Sequence, residues 1–351
     1  VSERTRGERA GIDFPDATWT SFDRYDRYGA IARCLRATLG DGEHRVLDVG
    51  DAAGYLRLFA GDLRLAGVDI SVQPDRLPGA VALVGDGAGL PFPDGTFDAV
   101  VSSDVLEHVD PTGRGAFIDE LSRVSDDLVI LAAPFDTDGV AGVEEVIRRF
   151  ALLVTGEPQE QLEEHRDRCL PSLDEATLHL TRHGDVVKTG NGNLWDWLEL
   201  MLVKHQILAR PALLPLHDGI DALYNLSLAG RATEPPYYRH LLAARRAGTV
   251  SLGTTRAAQV PSAIMAGILS SLVSAAGPES TRQDLWPAVD QVLADLGSVR
   301  SELAQLTTTI GARFDAIEQV QDEIVGPVRR ARSVVNRVRR RASPATGDEP
   351  K

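Results

Sequence analysis

Five apolar, β-rich runs alternate with helix-like stretches between residues 45 and 134: "RVLDV", "LAGVDI", "AVALVGD", "FDAVVSS" and "DLVILAAP". Strands buried on both faces read as near-continuous apolar runs, and the helices between them must cover the sheet they form. The alternation therefore predicts a parallel sheet with helices on both sides. Before it, "SFDRYDRYGAIARCLRATLG" reads as a helix, with Ile31, Leu35 and Leu39 four apart and Gly40 as its stop. After it, helical segments are expected around Gly142–Leu153 and Asp174–His183. "DVVKTGN" and "YYRHLLAARRAG" read as two closing strands that bracket an apolar helix, "LWDWLELMLVKHQIL".

A chain of 351 residues suits one large domain plus extensions. Its hydrophobic content of 43% and charged content of 25% are those of a globular protein. A net charge of −14 argues against a dedicated nucleic-acid binder, and no nucleic-acid partner is expected. Cys34 and Cys169 give neither metal spacing nor a disulfide framework and fit a reducing cytoplasm. "VSERTRGERAGIDFPD" lacks the apolar core of a signal peptide. The uncharged run from Ala257 to Pro278 is long enough to span a bilayer but is diluted with serine, glycine, alanine and proline. Its larger residues, among them Ile264, Ile268 and Leu272, share one helical face, so it reads as an amphipathic helix docked on protein or lipid.

The organisation expected from these patterns is a loose N-terminal segment at 1–20, a globular domain at 21–248, and a linker with an amphipathic helix at 249–280. A coiled coil follows at 281–325 and a basic amphipathic tail at 326–351. Leu285, Val289, Val292, Leu296, Val299, Leu303, Leu306 and Ile310 alternate spacings of four and three, a heptad seam continued by Phe314 and Ile317 after a slip. One long helix folded back on the domain is the competing reading. The narrow seam and polar flanks favour homo-oligomerisation through 285–317. From Arg329 to Arg341 there are seven arginines and no acid, a pattern that suits an anionic membrane surface. A solvated end or a nucleic-acid contact are the alternatives.

The chemistry-bearing stretch is "RVLDVGDAAGYL", a strand running into a turn bracketed by Gly50 and Gly54. A glycine-rich turn between strand and helix lets the backbone approach a ligand closely. Asp69 follows Asp48 by twenty-one residues, where a second strand should end, and an acid there can accept hydrogen bonds from both ribose hydroxyls of a nucleotide. Asp86 ends the next strand-like run, in "GDGAGLPFPDGTFDAVVSSDVLEHV". The spacing departs from that of nicotinamide-dinucleotide binders. Together these motifs resemble class I S-adenosylmethionine-dependent methyltransferases, in the branch of the ubiquinone and menaquinone biosynthesis enzymes, over residues 20 to 248.

The resemblance implies a Rossmann-like, seven-stranded, mostly parallel sheet with helices on both faces, and S-adenosyl-L-methionine as cofactor. It implies that Asp48 and the Gly50–Gly54 turn lie by the methionine part. Asp69 would hold the ribose, and Asp86, with the backbone of Gly87 and Ala88, would read the adenine edge. Ser102, Ser103 and Asp104 would end the fourth strand beneath the sulfonium. Ala52 departs from the family's glycine. At negative φ its methyl costs little, and at positive φ it costs about 1–2 kcal/mol.

For the acceptor side, His165 in "EEHRDRCLPSLDE" is the first choice of base, against the plain reading of an exposed surface histidine. Asp104, Glu107 and His108 have the i, i+3, i+4 spacing that could face one metal ion. A helix-start acid with ordinary packing is the favoured reading, and no metal is expected. His205 reads as a core or lid histidine. Trp195 and Trp197 read as pocket cap or core. The segment from Glu164 to Leu208, followed by "PPYYRHLLAARR", resembles methyltransferases found with bacterial cell-surface glycan synthesis. That resemblance implies O-methylation of a sugar, glycan or lipid-linked cell-envelope intermediate, in the cytoplasm or peripherally at the inner face of the membrane. A quinone-like or secondary-metabolite acceptor is the second reading. A non-catalytic scaffold acting through its coiled coil is the third.

Overall fold

The computed structural model describes residues 16–51, 53–71, 76–77, 80–137, 139–210, 214–227 and 229–254. Ala52, the run 257–278, the heptad seam and the arginine tail lie outside the described residues. The strands are β1 (Arg45–Val49), β2 (Arg64–Asp69), β3 (Ala82–Val84), β4 (Phe97–Ser103), β5 (Ser125–Ala133), β6 (Asp185–Asn193) and β7 (Tyr237–Arg245). They form one sheet in the order β3-β2-β1-β4-β5-β7-β6. The first five pair in parallel, while β7 runs antiparallel to both β5 and β6. The seven-stranded, mostly parallel sheet expected from the sequence is thus observed.

Helix α1 (Phe22–Leu39) ends at Gly40, whose φ of +74° suits only glycine without strain. Its apolar face, with α2 (Arg57–Ala60), covers one side of the sheet: Tyr28, Ile31, Leu35 and Ala60 pack on Val46, Val101 and Ile130. Helices α3 (Arg114–Val124) and α6 (Leu173–Leu180) cover the other side, where Phe117, Leu121 and Leu180 pack on Leu47, Val100 and Val129. Adjacent residues of β1 enter opposite cores, as the two-residue period of a strand requires. Val250 and Leu252 add to the α1 side.

The remaining helices gather beyond the carboxyl ends of the strands. They are α4 (Val140–Thr155), α5 (Glu160–Arg168), α7 (Leu194–Leu208) and α8 (Leu214–Ser227). The polar stretch "EEHRDRCLPSLDE" gave no helical spacing, yet its first six residues belong to α5. Charge explains its helicity: Glu160 and Glu163 open it, and His165, Arg166 and Arg168 close it, which complements the helix dipole. Helix α7 starts on Asn193, whose side chain accepts from Trp195 N and Asp196 N at 3.1 Å each. No helix among the described residues is long and apolar enough to cross a membrane.

Candidate functional site

The chain reverses its direction of sheet growth at β1, which has β2 on one side and β4 on the other. Ligands of open α/β sheets bind outside the carboxyl ends of the strands at such a switch. A cavity of about 620 Å³ opens there. Gly50, Asp69 and Ser103 form its floor at the ends of β1, β2 and β4, and the start of α1, α5 and α7 complete its walls.

The turn after β1 holds its shape by one carboxylate. Asp51 is buried and accepts from Gly54 N at 2.9 Å and Leu56 N at 3.4 Å. Gly50 has φ +102°, and a Cβ there would lie 2.0 Å from Val105 Cγ2. Only glycine fits. Gly54, with φ +79°, is similarly confined by Ala80. Asp69 is half-buried and accepts from Ser71 N at 3.0 Å. Its backbone oxygen accepts from Gly85 N at 2.9 Å, which sets Asp86 next along the same edge.

The sequence-selected residues divide among three places. Gly50, Asp69, Ser103 and His165 line the large cavity. Asp48 and Gly54 line a small neighbouring cavity beneath the turn. Both Asp48 carboxylate oxygens are buried without a hydrogen-bond partner among the described residues, and burial next to Asp51 pushes this carboxyl well above the usual carboxylate range. Asp86 is exposed outside the large cavity and accepts from Ala88 N at 2.9 Å. A Cβ on Gly87 would come within 2.5 Å of Phe117, so this turn needs glycine for packing.

Beyond β4 the chain adopts a strained conformation. Asp104 has φ +52°, rare for a residue with a side chain. Two arginines hold it there: Arg27 of α1, and Arg239 of β7 through Nε at 3.1 Å and a terminal nitrogen at 2.9 Å. Together the two guanidinium groups outweigh burial and hold the Asp104 carboxyl down at about 2. Arg239 is 1% exposed and also donates to Asp23. Asp104 faces these arginines and 106–108 is a single 3-10 turn, so the i, i+3, i+4 spacing does not fall on one α-helical face as the less favoured, metal-facing reading would need.

Glu107 and His108 meet His165 instead. Glu107 is 1% exposed with Oε2 unpartnered among the described residues, and burial and Asp104 push its carboxyl up. His108 Nδ1 lies 2.7 Å from Glu164, and His165 Nδ1 lies 2.9 Å from Glu144. The two Nε2 atoms face each other at 3.3 Å. His165 is buried on the cavity wall, so it is not the exposed surface histidine of the plain reading. Tyr238, stacked on Trp197 at 3.9 Å, donates to the same Glu144 oxygen at 2.9 Å. Trp197 lines the cavity. His205 is buried and bonded through Nδ1 to Met201 O at 2.7 Å, as a core histidine would be. Sequence reasoning missed Asp51, Glu144, Tyr238 and Arg239. Asp51, inside the quoted turn, was the one with a local signal.

Residues 47–128 match the methyltransferase domain family. An uncharacterized methyltransferase of Mycolicibacterium vanbaalenii is 38% identical over 125 residues, which cover 29% of this chain and 46% of that protein. The match thus spans under half the length of this curated relative. Among solved structures, magnesium protoporphyrin IX methyltransferase from Synechocystis, with bound SAH, is 17% identical with a TM-score of 0.41, over 69% of this chain and 91% of that one. The YcgJ protein of Bacillus subtilis is 17% identical with a TM-score of 0.38, over 62% and 99%. Likenesses this distant add nothing to the strand order described above.

Proposed function

We propose that the chain is an S-adenosylmethionine-dependent methyltransferase acting on an oxygen of a polar, hydroxylated acceptor. The observation that carries this reading is the cavity itself, which joins the glycine turn and Asp69 on one side to Glu107, His108 and His165 on the other. The residues fit a cofactor. The Gly50 position has no room for a Cβ, and Ser103 Oγ is buried on the cavity wall without a partner among the described residues. Asp69 would bind the ribose, and the backbone around Gly50 would approach the amino-acid part. Asp86 would serve the adenine edge from outside the main cavity. When bound, the cofactor supplies an electrophilic methyl on a sulfonium.

Such a transfer asks the protein for alignment and exclusion of water more than for covalent help. An alcohol acceptor must also lose its proton. In this reading that task falls to the Glu107–His108–His165 cluster, with Glu107 and His165 buried and His108 half-buried. Glu144 orients His165, and the Trp197–Tyr238 stack bounds the acceptor side.

The wall is rich in charged and polar groups, including Asp23, Arg24, Gln159 and Lys204. This supports a sugar or glycan acceptor over a bare apolar quinone. In the same proposal, residues 285–317 join copies of the chain, and residues 329–341 bring it to the anionic inner face of a membrane, where a lipid-linked glycan would sit.

Calorimetric titration with S-adenosylmethionine and S-adenosylhomocysteine tests the reading. Micromolar binding that Asp69→Ala weakens by at least about 10-fold is expected, about 1.4 kcal/mol. Absence of binding to the folded protein would overturn the proposal. Transfer of labelled methyl to free and lipid-linked sugars then tests the acceptor class.

A further inference from the structure

We propose that Glu107, His108 and His165 form a binding site for one divalent transition-metal ion, with an open position toward the cavity. The geometry comes first. Each imidazole is fixed through Nδ1 by its own glutamate, Glu164 for His108 and Glu144 for His165. If both Nδ1 atoms donate to those carboxylates, both Nε2 atoms carry lone pairs. Those lone pairs confront each other across 3.3 Å. Something positive must lie between or beside them. Two nitrogens on a tetrahedral ion at zinc-like bond lengths are about 3.3–3.4 Å apart.

The third donor is in reach. Glu107 Oε1 lies 3.9 Å from His165 Nε2, and its Oε2 has no partner among the described residues although the side chain is 1% exposed. The donor atoms of the three residues lie within 4.8 Å of one another. A buried carboxylate and two ring nitrogens with no proton between them are costly without a cation and well satisfied with one.

A proton shared between the rings is the competing arrangement. Such a proton would leave the buried Oε2 of Glu107, which has no partner among the described residues, unsatisfied. A carboxylate behind each ring is the usual way a protein orients an imidazole ligand and raises its basicity. Two imidazoles and one carboxylate suit Zn²⁺, Co²⁺, Mn²⁺ or Fe²⁺ better than Mg²⁺ or Ca²⁺, which prefer all-oxygen shells.

The consequence for chemistry rests on the methyl-transfer reading above. His165 then acts as a ligand and not as a base. An acceptor hydroxyl that binds the open position has its pKa lowered and releases its proton to water. The alkoxide oxygen forms the new bond to the methyl carbon as the carbon–sulfur bond breaks, and the electron pair stays on sulfur to give the neutral thioether. This favours acceptors that can present an oxygen to the ion.

The test uses the full chain, stripped with chelator and titrated with Co²⁺ while its visible absorption is followed. One equivalent per chain is expected, with ligand-field bands of a nitrogen–oxygen site, and a Kd raised at least about 100-fold in His108→Ala and in His165→Ala. S-adenosylhomocysteine titration of the same samples reports separately on the cofactor half, which these substitutions should leave within a few-fold of native. Should the alanine variants not fold, by circular dichroism, His108→Gln and His165→Gln take their place. Native protein that takes up no Co²⁺ would overturn the metal site whatever the cofactor titration shows. So would equal uptake by the His108→Ala/His165→Ala double variant.

Discussion

Arg239 of β7 grips both carboxylate oxygens of Asp104, at 3.1 and 2.9 Å, and so ties the antiparallel half of the sheet to the end of β4 beside the cavity. Asp104 sits at φ +52°, and this grip, with that of Arg27, opposes the strain. Removing one member of a buried pair strands the other charge. Arg239→Met should therefore destabilise the fold by about 3–5 kcal/mol, measured by urea unfolding. Asp104→Asn should be costly too, although asparagine tolerates the left-handed backbone.

The same pair shapes the acid limb of stability. Asp104 has its carboxyl at about 2, below the usual 3.8. Its ionised form is the one the fold favours, so its contribution is complete above pH 3.8 and is lost as pH falls toward 2. In Asp104→Asn this part of the acid dependence should be missing. Thermal melts of both proteins between pH 5 and pH 2, about the span over which such a group titrates, check it.

Asp48 predicts the opposite sign. Its carboxyl is pushed well above the usual range by burial, with Asp51 adding to the effect and Arg27 opposing it. The fold favours the protonated form, so stability falls by about 1.4 kcal/mol per pH unit once the unfolded carboxyl has ionised, until the folded one follows. Asp48→Asn should raise Tm at pH 7 and lose that advantage below about pH 4. A variant less stable than native at neutral pH would mean that Asp48 is held ionised.

Gly50→Ala should lower cofactor affinity by more than about 10-fold, because its Cβ would lie 2.0 Å from Val105 at φ +102°. The strain and overlap together should cost about 2–4 kcal/mol of stability. Gly142→Ala provides the contrast. Gly142 is exposed in the first turn of α4, with nothing among the described residues within 4 Å of an added Cβ. That change should stabilise by about 0.5–1 kcal/mol and leave cofactor binding unaltered.

Truncation after Ser280 tests the proposed assembly. The shortened chain should retain cofactor binding and scatter light as a monomer, where the full chain is expected to scatter as an oligomer. An unchanged oligomer would remove the role given to residues 285–317. Deleting 329–341 should abolish binding to anionic vesicles, and in the full chain that binding should weaken as salt rises.

What the sequence determined by itself is local and periodic. Five strand runs, two closing strands, α1 with its Gly40 stop, and α7 were legible because apolar spacing reports which face of an element is buried. Gly50 and Asp69 were legible because strand-end positions in such a sheet converge on one edge. Helix α5 was hidden by its scarcity of apolar residues, since charge placement supports it. The long-range partnerships were decided only by tertiary structure. His165 meets His108 across 57 residues, Arg239 meets Asp104 across 135, and Tyr238 meets Glu144 across 94. Spacing allowed Asp104 to stand with Glu107 and His108 as the less favoured reading, and a 3-10 turn and two arginines turned it away. Periodicity says which residues share a face. Which charges meet when separate elements are packed together depends on the depth and angle of that packing, and a buried charge goes to whichever partner satisfies it.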